Sequence, residues 1–533
     1  MGADLFHSLT SVAKLGSIAY LLYLVVSTVG LIVYRVFFHP LHKFPGPRLA
    51  GATYWYETYQ DLFTGPYPGQ GAYNIERLHK QYGPIVRVSP DELSVNDPDW
   101  FDTLYKSGRR DKWPKNSKAN GSPGSIASTI HYAQHKARRS AITQFFSKQA
   151  VNNLESIIGA KVNQLTNGIE REFRQKGQVL NTGIAFTALT LDVISDYCFG
   201  QSWRCLERPD FAPEWKKTMT NLFEPVPVMR NFPWIMGFMQ SLPDWVMAKM
   251  APDMVIFAEA KNSVQRQVER IIAEREASAT GTKSSSLGRP EPGFDNSSSR
   301  TIFHAVLDSP LGSEEKTVDR ITDEAFVMIV AGGETTAKTL TNAVYHLLAN
   351  PAWLKRVLAE LDQVMPDPNV LAPYSKLEAL PVLGAAIKET LRISAPVTNR
   401  VQVIDPEGDL MFGDKWVVPR GTPVSMSVPA IHLDAACFPQ PMVFDPERWI
   451  SEETRERSLR YYMPFHRGTR NCVGQNLSYA ELYLGLAAVL RRFELELYDT
   501  VRERDVDTVR DCFVGMPTPQ AQGVRVRVLG KRP

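Results

Sequence analysis

One cysteine, Cys472, lies in a segment whose residue types favour chemistry at sulfur. The segment, MPFHRGTRNCVG at residues 463–474, combines two arginines, a histidine and two glycines, and a helical-looking run, NLSYAELYLGLAAVLRRF, follows it. We therefore expect Cys472 at or just before a helix N-terminus, where free amide groups and the helix dipole favour an anion. Arg467 and Arg470 add positive charge, so the pattern predicts that thiolate is stabilised over thiol.

The sequence around Cys472 leaves the use of this sulfur open, because a thiolate can attack an electrophile or bind a metal. A cysteine nucleophile needs a base, for which His466 is a nearby candidate. A zinc site would need more soft ligands than this segment provides. A single thiolate also suits the axial position of a haem iron, where its electron donation favours O–O cleavage.

The segment AGGETT, residues 331–336, is a second candidate for chemistry. Apolar residues recur at steps of three and four through residues 319–350, which predicts a long helix with a continuous apolar face. Two glycines in mid-helix cost about 1 kcal/mol each relative to alanine. They serve either the close approach of a flat or bulky ligand or the packing of another helix. Thr335 is placed to bond a carbonyl of the previous turn, and Glu334 adds an ionisable group.

A third pattern is a pair of opposite charges in a predicted helix over residues 380–393. Glu389 and Arg392 are three residues apart and share one face of that helix. On a surface such a pair contributes only a few tenths of a kcal/mol. Arg448, in the turn-rich stretch FDPERW, joins them only if the chain folds back.

The N-terminal region contains a long apolar segment. Residues 15–34 carry no charge and are bracketed by Lys14 and Arg35. A helix of that length spans a bilayer, and the stretch is longer than the core of a secretory signal. We therefore predict a single-pass anchor within residues 1–38, with the catalytic part on the cytoplasmic side, where positive charge is concentrated. A buried core helix is the alternative.

The residues after this apolar segment predict a neck and one large domain. Three prolines in HPLHKFPGPRLAG indicate an extended, stiff neck over residues 39–52. Helical periodicity dominates residues 53–533, with short strand patterns at residues 85–88 and 524–529, so the fold class is mainly α with minor β. The Ser/Gly/Pro-rich residues 277–300 predict an exposed, disordered loop within a single catalytic domain.

Composition restricts the class of protein. With 533 residues, 44% of them hydrophobic, the chain has enough apolar surface for a large core. Its five cysteines lack the density and spacing of a disulfide framework, which indicates a reducing compartment. The 60 basic and 57 acidic residues give a net charge of only +3 and are scattered, which argues against a nucleic-acid partner.

Together, these motifs resemble the cytochrome P-450 family over nearly the whole chain after the apolar segment. The cysteine segment fits the family's haem loop, FxxGxRxCxG, through Phe465, Gly468, Arg470, Cys472 and Gly474. AGGETT fits its central oxygen-activating helix, and Glu389, Arg392 and Arg448 fit its structural Glu-Arg-Arg cluster. The resemblance implies a single P-450-type domain that binds haem b.

The resemblance also implies a role for individual residues. Cys472 would be the proximal ligand of the haem iron, Phe465 would pack near it, and Arg470 would bind a haem propionate. The further candidates for propionate binding are His135 and Arg139 in HKARR, Arg400, and His432. His135 departs from the family's commonest residue at that place, tryptophan. A plain solvated helix face remains the alternative for the basic residues of HKARR.

The activity implied by the resemblance is that of a monooxygenase. O2 would be reduced at the haem iron and one oxygen atom inserted into a substrate, with Thr335 and Glu334 supporting proton delivery. Because the chain shows no flavin or nicotinamide fingerprint and ends soon after the cysteine helix, electrons would come from NADPH through a separate membrane-bound reductase. A haem-thiolate isomerase or dehydratase and a non-catalytic membrane haem sensor or carrier are the alternatives, and the Glu334–Thr335 pair favours O2 activation over the former.

The substrate is indicated only by class. Residues 201–253 are rich in aromatic residues, Met and Pro, and in this family such a region roofs the pocket. A surface of that kind suits a lipophilic substrate arriving from the bilayer, although simple core packing is an alternative. The stretches HPLHKFPGPRLA and NLSYAELYL are similar to fungal microsomal members, in the endoplasmic reticulum membrane, that oxidise terpenoids, polyketides or alkaloids in secondary metabolism.

Overall fold

The computed structural model describes residues 2–117, 121–250, 255–280 and 301–533. Helices predominate in these ranges and the strands are short, so the predicted class, mainly α with minor β, is confirmed. The segment 277–300, predicted to be a disordered loop, begins in a helix that ends at Thr280. Its residues 281–300 lie outside the described ranges.

The elements are numbered in chain order. The helices of the N-terminal part are α1 (Gly2–Val33), α2 (Arg48–Ala52), α3 (Trp55–Leu62), α4 (Gly71–Tyr82), α5 (Phe101–Tyr105), α6 (Pro114–Ser117), α7 (Tyr132–Thr143), α8 (Lys148–Asn153), α9 (Glu155–Gly168), α10 (Thr182–Phe199), α11 (Pro213–Phe223) and α12 (Val226–Asn231). They are followed by α13 (Trp234–Gln240), α14 (Asp244–Met250), α15 (Val255–Thr280), α16 (Ile302–Asp308), α17 (Val318–Ala349), α18 (Pro351–Val364), α19 (Tyr374–Glu378), α20 (Pro381–Ser394), α21 (Val428–His432), α22 (Glu452–Tyr461), α23 (Gln475–Arg492) and α24 (Arg502–Asp505). The strands are β1 (Ile85–Arg87), β2 (Leu93–Val95), β3 (Asp111–Lys112), β4 (Leu180–Asn181), β5 (Val403–Ile404), β6 (Leu410–Phe412), β7 (Trp416–Val418), β8 (Val424–Ser425), β9 (Phe493–Leu497), β10 (Arg510–Cys512), β11 (Val514–Met516) and β12 (Arg525–Lys531).

The described strands form four small sheets. The largest has the order β1-β2-β8-β5-β3, and β2 pairs with β8 in parallel while the other pairs are antiparallel. A three-stranded sheet has the order β4-β12-β9, and β6–β7 and β10–β11 are antiparallel pairs. The strand patterns predicted at residues 85–88 and 524–529 coincide with β1 and β12.

The N-terminal helix is exposed along its apolar length. From Ala13 to Phe38 it is long and apolar enough to cross a membrane, and none of its most apolar stretch is buried inside the protein. The alternative of a buried core helix is therefore wrong.

The predicted extended neck is also wrong, because residues 39–52 fold onto the body. They contain a 3-10 turn, Pro40–Lys43, and the short helix α2. Leu41 and Phe44 are buried, and the Phe44 ring stacks on Trp416 with a centroid distance of 4.9 Å. The prolines prevent a continuous helix here, but the apolar residues between them pack against distant parts of the chain.

Two long helices, α10 and α17, pack antiparallel at the centre of the body. Thr190 of α10 donates its hydroxyl to the Gly333 carbonyl at 2.7 Å. A Cβ at Gly332 would come within 3.0 Å of Ile194, and one at Gly333 within 2.6 Å of Leu191. Of the two uses predicted for these glycines, the structure therefore favours helix packing over close approach of a ligand.

The main hydrophobic core surrounds this helix pair. Buried apolar side chains of α9, α10, α17, α20 and α23 form one continuous cluster. α17 is joined to α23 by a hydrogen bond of 3.0 Å between the hydroxyls of Thr336 and Ser478. Because Ser478 lies in the first turn of α23, this bond fixes α17 close to the segment that contains Cys472.

A buried ionic cluster connects α20 to the segment before α22. Arg392 makes two hydrogen bonds to Glu389, at 2.7 and 2.9 Å, and Arg448 makes a third at 3.2 Å. Trp449 donates its indole N–H to the same carboxylate at 3.0 Å. Glu389 and Arg392 are fully buried, so the pair is not the weak surface contact that its helical spacing alone suggested.

We expect Glu389→Gln to lower the free energy of unfolding by about 3–5 kcal/mol, because it leaves two buried guanidinium groups without their anion. Urea denaturation in detergent, followed by tryptophan fluorescence, measures the change. The matched control is Glu76→Gln, which breaks the exposed Glu76–Lys80 pair and should leave stability nearly unchanged. Equal stability of the two variants would contradict this interpretation of the cluster.

Candidate functional site

Cys472 lies three residues before the first residue of α23, as its sequence context indicated. Its amide donates to the Phe465 carbonyl at 2.9 Å, which closes a loop around the 3-10 turn Gly468–Arg470. All five cysteines are in the described ranges, and Cys472 alone among them is exposed. A sulfur that can be reached from outside and is held by a tight loop is suited to bind a ligand.

The ionisation of Cys472 differs from the expectation. Although its side chain is accessible, the surrounding protein raises the pKa of its thiol, because burial disfavours the charged form. The Gly474 amide and the Arg139 guanidinium lower this pKa without outweighing burial. The prediction that the thiolate is favoured is therefore wrong for the protein alone. A metal ion would reverse this balance, since it deprotonates a coordinating thiol.

The two glycines of the loop have different roles. Gly468 has a φ of +80°, and a Cβ there would collide with the carbonyl oxygen of Tyr105. This close approach requires glycine. Gly474 has an ordinary φ of −85°, and a Cβ there would meet open space. It is therefore not needed for a tight turn, and its lack of a side chain leaves room beside Cys472.

His466 does not act as a base toward Cys472 in this arrangement. Its Nδ1 is 2.8 Å from the Arg467 carbonyl, and its ring packs against Tyr105 at a centroid distance of 4.3 Å. Burial lowers the pKa of His466 to about 4. The ring of Phe465 lies 5.2 Å from that of Tyr479, on α23. The loop is thus packed by aromatic rings on both sides.

The AGGETT stretch of α17 presents one accessible face. Ala331 is exposed and Thr335 half-buried, although most of the surrounding helix is buried. The Thr335 hydroxyl donates to the Ala331 carbonyl at 2.9 Å, as the spacing indicated. The next turn repeats the pattern, with the Thr339 hydroxyl on the Thr335 carbonyl. The glycines face α10, so this accessible face is on another side of the helix.

Glu334 is directed toward a neighbouring helix. Its Oε1 accepts a bond of 2.6 Å from Lys216 of α11, which is partly exposed, while its Oε2 is buried without a partner among the described residues. Lys338, one turn further along α17, donates to the Gly515 carbonyl and to Thr508. Burial lowers the pKa of Lys338 to about 7. Glu334 therefore connects the middle of α17 to the protein surface through Lys216.

Basic side chains gather on one side of the cysteine loop. Arg139 donates to the backbone carbonyl and side chain of Asn471, at 2.6 and 2.8 Å. His135, one turn earlier on α7, is buried, and burial together with Arg470 and Arg139 lowers its pKa to about 3. Burial also lowers the pKa of Arg470 to about 10 and that of Lys112 to about 8. We call His135, Arg139, Arg470 and Lys112 the basic cluster.

The basic cluster contains little compensating negative charge. Asp111 raises the pKa of Arg470, but its oxygens accept bonds from the Tyr132 amide and the His131 ring. The Nε of Arg470 is buried without a hydrogen bond in the described part of the chain. Arg139, Arg470 and Lys112 are half-buried cations with few nearby acids, an environment that favours an anionic ligand, whereas His135 is neutral and contributes only a hydrogen-bonding ring.

Two residues predicted to bind propionates have other partners. Arg400 bonds Glu92 at 2.9 Å and Glu57 at 2.7 Å, and these carboxylates raise its pKa well above the usual value. His432 is buried, and its Nε2 accepts the Met463 amide at 3.0 Å. Both residues have side chains that could bind a propionate, but Arg400 is bonded to Glu92 and Glu57, and His432 to Met463. We therefore leave Arg400 and His432 out of the anion-binding set.

The sequence did not single out two members of this site. Lys112, in the short strand β3, joins the basic cluster, and Lys216 joins Glu334. No periodicity or motif marks either residue, since each is brought to the site by long-range packing. On α7 the alternative of a solvated helix face holds for Lys136, which is exposed, whereas Arg138 is buried and bonded to Glu315.

Comparison with known proteins identifies the family of this chain. A family model described as Cytochrome P450 matches residues 61–522. A cytochrome P450 monooxygenase, MO6277, from Ascocoryne sarcoides is 39% identical over 504 residues, which cover 93% of this chain and 95% of that protein. A tryptophan 6-hydroxylase, fscE, from Fusarium equiseti is 37% identical and covers 96% of both chains.

Two further similarities extend the comparison. A fusicoccadiene C-8 hydroxylase from Phomopsis amygdali is 35% identical and covers 95% of both chains. The solved structure of the cytochrome P450DA heme domain matches with a TM-score of 0.68 at 21% identity, over 92% of this chain and 98% of that one, which supports the fold. With these matches spanning nearly its full length, the chain belongs to the cytochrome P450 family and is a monooxygenase of that family.

Proposed function

We propose that this monooxygenase hydroxylates or epoxidises a lipophilic small molecule, a fungal secondary metabolite, at a haem iron bound by Cys472. The observation that carries the proposal is the exposed Cys472 just before α23, beside the basic cluster and close to α17, which Thr336 joins to Ser478 of α23. Electrons come from NADPH through a separate reductase. The family and fold imply a haem-thiolate cofactor, O2, a small-molecule substrate and a redox partner.

The residues present fit haem b. Cys472 supplies the single thiolate, and the open space at Gly474 leaves room beside the sulfur. Arg470, Arg139 and Lys112 offer half-buried positive charge for the two propionates, and neutral His135 offers a ring N–H. The Nε of Arg470 is a donor without an acceptor among the described residues. When bound, haem supplies the iron at which O2 is reduced and one of its oxygen atoms is transferred to the substrate.

Residues of α17 deliver protons in this proposal. The Thr335 hydroxyl, on the accessible face of the helix, is the proximate donor, and its bond to Ala331 fixes its direction. Glu334 exchanges protons with the outside through partly exposed Lys216, which is 2.6 Å from its carboxylate. The carboxylate is not bonded to Thr335, so it must turn, or a water must bridge the two, for a proton to reach the hydroxyl.

An apolar wall supports a lipophilic substrate. Phe223, at the end of α11, stacks on Phe513 between β10 and β11, with rings 6.2 Å apart and nearly parallel. Val226, Val330, Cys512, Val514 and Met516 complete this cluster. Val330 directly precedes exposed Ala331, so the wall borders the accessible face of α17. One relative is named for fusicoccadiene and another for tryptophan, an amino acid with charged groups, so these names do not define one substrate class. The apolar wall itself favours a terpenoid, polyketide or alkaloid over a charged substrate.

The membrane is part of the proposal. Trp234, Phe238 and Trp245 of α13 and α14 are exposed, and Trp55 of α3 contacts Phe232 with rings 6.0 Å apart. These aromatic residues suit a membrane interface, from which a lipophilic substrate enters. We assign residues 1–38 to a single-pass anchor in the endoplasmic reticulum, 39–52 to a segment packed on the body, and 53–533 to a cytoplasmic haem domain.

The proposal is tested by expressing the full chain in microsomes with an NADPH-dependent reductase and supplying a panel of terpenoids, polyketides and alkaloids. We expect a substrate-induced spectral shift and an oxygenated product that requires both NADPH and reductase. Turnover without reductase would instead indicate an isomerase or dehydratase. Binding without any product across the panel would indicate a carrier.

Replacing the proposed iron ligand should change the spectrum of the haem. We expect Cys472→Ser to abolish the carbon monoxide band characteristic of thiolate ligation, because a serine hydroxyl is not an equivalent donor. The difference spectrum of the reduced protein measures this. The control is Cys437→Ser at a buried cysteine of another segment, which should keep the band. Persistence of the band in the Cys472 variant would refute thiolate ligation at this position.

Removing the proposed proton donor should uncouple the reaction. We expect Thr335→Ala to lower the rate of product formation by roughly 10²-fold while NADPH consumption continues, because delivery of protons is impaired. NADPH and product are measured in parallel. Thr341→Ala removes a similar intrahelical bond elsewhere on α17, and it should stay coupled. Unchanged coupling in the Thr335 variant, with normal haem content, would exclude this role.

A further inference from the structure

Residues 122–130, which we call the bridging loop, lie between three parts of the protein. The loop contains the 3-10 turn Ile126–Ser128. Just before it, a Cβ at Gly121 would come within 3.7 Å of Met236, on α13, in the aromatic region 201–253 that the family resemblance implies as the roof of the pocket. The loop therefore extends from that region toward α17 and the basic cluster.

Acidic residues of α17 hold the amide groups of the bridging loop. Asp323 accepts the Gly124 amide at 2.9 Å, and Glu324 accepts the Ile126 amide at 3.0 Å. Gly124 lies directly on the helix, since a Cβ there would come within 3.0 Å of the Arg320 Cα. These bonds fix Ile126, a half-buried apolar residue that packs against the main core.

Basic residues hold the carbonyl groups of the same loop. Arg470 donates to the carbonyls of Thr129 and Ile130, at 2.9 and 2.7 Å, and Lys112 donates to that of Ala127 at 2.6 Å. Arg138 adds a bond of 2.8 Å to the Thr129 hydroxyl. The loop is thus held between acids of α17 on one side and members of the basic cluster on the other.

Glu324 is the member of this arrangement that can change charge near neutral pH. It is buried, and burial raises the pKa of its carboxyl to about 7. Arg320, 3.1 Å away, and Arg138 of α7 lower this pKa without offsetting burial, while Asp323 raises it. Two further charged groups lie around these residues. Glu315 bonds Arg138 and contacts Arg320, and Lys261 of α15 is 3.6 Å from Asp323.

We propose that Glu324 is a positioning residue whose ionised form fixes Ile126 of the bridging loop beside the substrate, so that substrate affinity falls on acidification. The ionised carboxylate makes a charge-assisted bond to the Ile126 amide and an ion pair with Arg320. Protonation weakens both and loosens the loop between α17 and α13, while the Glu324 carboxyl stays buried against α17. The part of the proposal that concerns substrate rests on the proposed function, whereas the loop motion does not.

The sign of the pH effect separates this loosening from unfolding. The pKa of Glu324 is higher in the folded protein than in an unfolded chain, where a glutamate titrates near about 4.3. This group therefore makes the folded state more stable as the pH falls from about 7 toward that value. A loss of binding at pH 6 through Glu324 is then a local change in the loop.

The test compares the wild-type protein with Glu324→Gln and with Asp323→Asn, which removes the neighbouring carboxylate that bonds Gly124. Hydrogen exchange of the full chain in detergent, corrected for intrinsic exchange, reports protection of the Ile126 amide at pH 8 and pH 6. We expect the wild type to lose roughly fivefold in protection on acidification, because a bond to a charged group is about twice as strong as a neutral one. In Glu324→Gln the protection of the Ile126 amide should be low at both pH values. In Asp323→Asn this protection should still fall on acidification.

A second readout reports the consequence for ligand binding. The affinity of clotrimazole, measured by its spectral shift, should fall more between pH 8 and pH 6 in the wild type than in Glu324→Gln, by a similar factor, and the fall that remains in Glu324→Gln is that of the probe's own imidazole. An unchanged pH response of Ile126 in Glu324→Gln would overturn the proposal. A pH-dependent loop in a protein that lacks the thiolate carbon monoxide band would instead refute the proposed function and leave the positioning of the loop intact.

Discussion

The constraint on which this structure depends is that buried positive charge must be balanced. Around Glu389 the balance is internal, because one carboxylate accepts hydrogen bonds from Arg392, Arg448 and Trp449 and fixes α20 against the segment before α22. Near Cys472 the balance is incomplete, since Arg139, Arg470 and Lys112 face few acids among the described residues and their pKa values are lowered. The first arrangement makes a rigid scaffold, and the second makes a place for an anion.

The packing of α10 against α17 determines which face of α17 is available for chemistry. Gly332 and Gly333 allow the two backbones to approach, as the bond from Thr190 to the Gly333 carbonyl shows. With that side of the helix filled, Ala331 and Thr335 remain on the accessible side. The glycines thus act on the site indirectly, because the side of α17 that packs against α10 is the glycine side and Thr335 lies on another side.

The parts of this site that follow from local pattern could be predicted, and those that depend on distant partners could not. α17 and α23 have long apolar periodicity, and both were predicted to within one residue at each end. Arg400 was assigned to the cofactor because its type and place matched, yet its partner Glu92 is 308 positions away. Phe44 lies between Pro40 and Pro45, and only its stacking on Trp416 and its burial show that the segment is packed. The ionisation of Cys472 depended on the balance of burial against helix dipole and neighbouring cations, which sequence gives only in part.

The way in which the basic cluster is held matters for anion binding. Arg470 and Arg139 donate to backbone carbonyls, and Arg139 also donates to the side-chain oxygen of Asn471; these acceptors are neutral. Neutral acceptors fix the direction of a guanidinium without cancelling its charge. The carboxylates around Arg400 fix its direction and also cancel its charge. The positive potential therefore persists at side chains that are already ordered. Binding an anionic ligand there would cost less side-chain entropy than binding it at mobile surface arginines. Because the same carbonyls belong to the bridging loop and the cysteine loop, an anion bound at the cluster would also stabilise both loops.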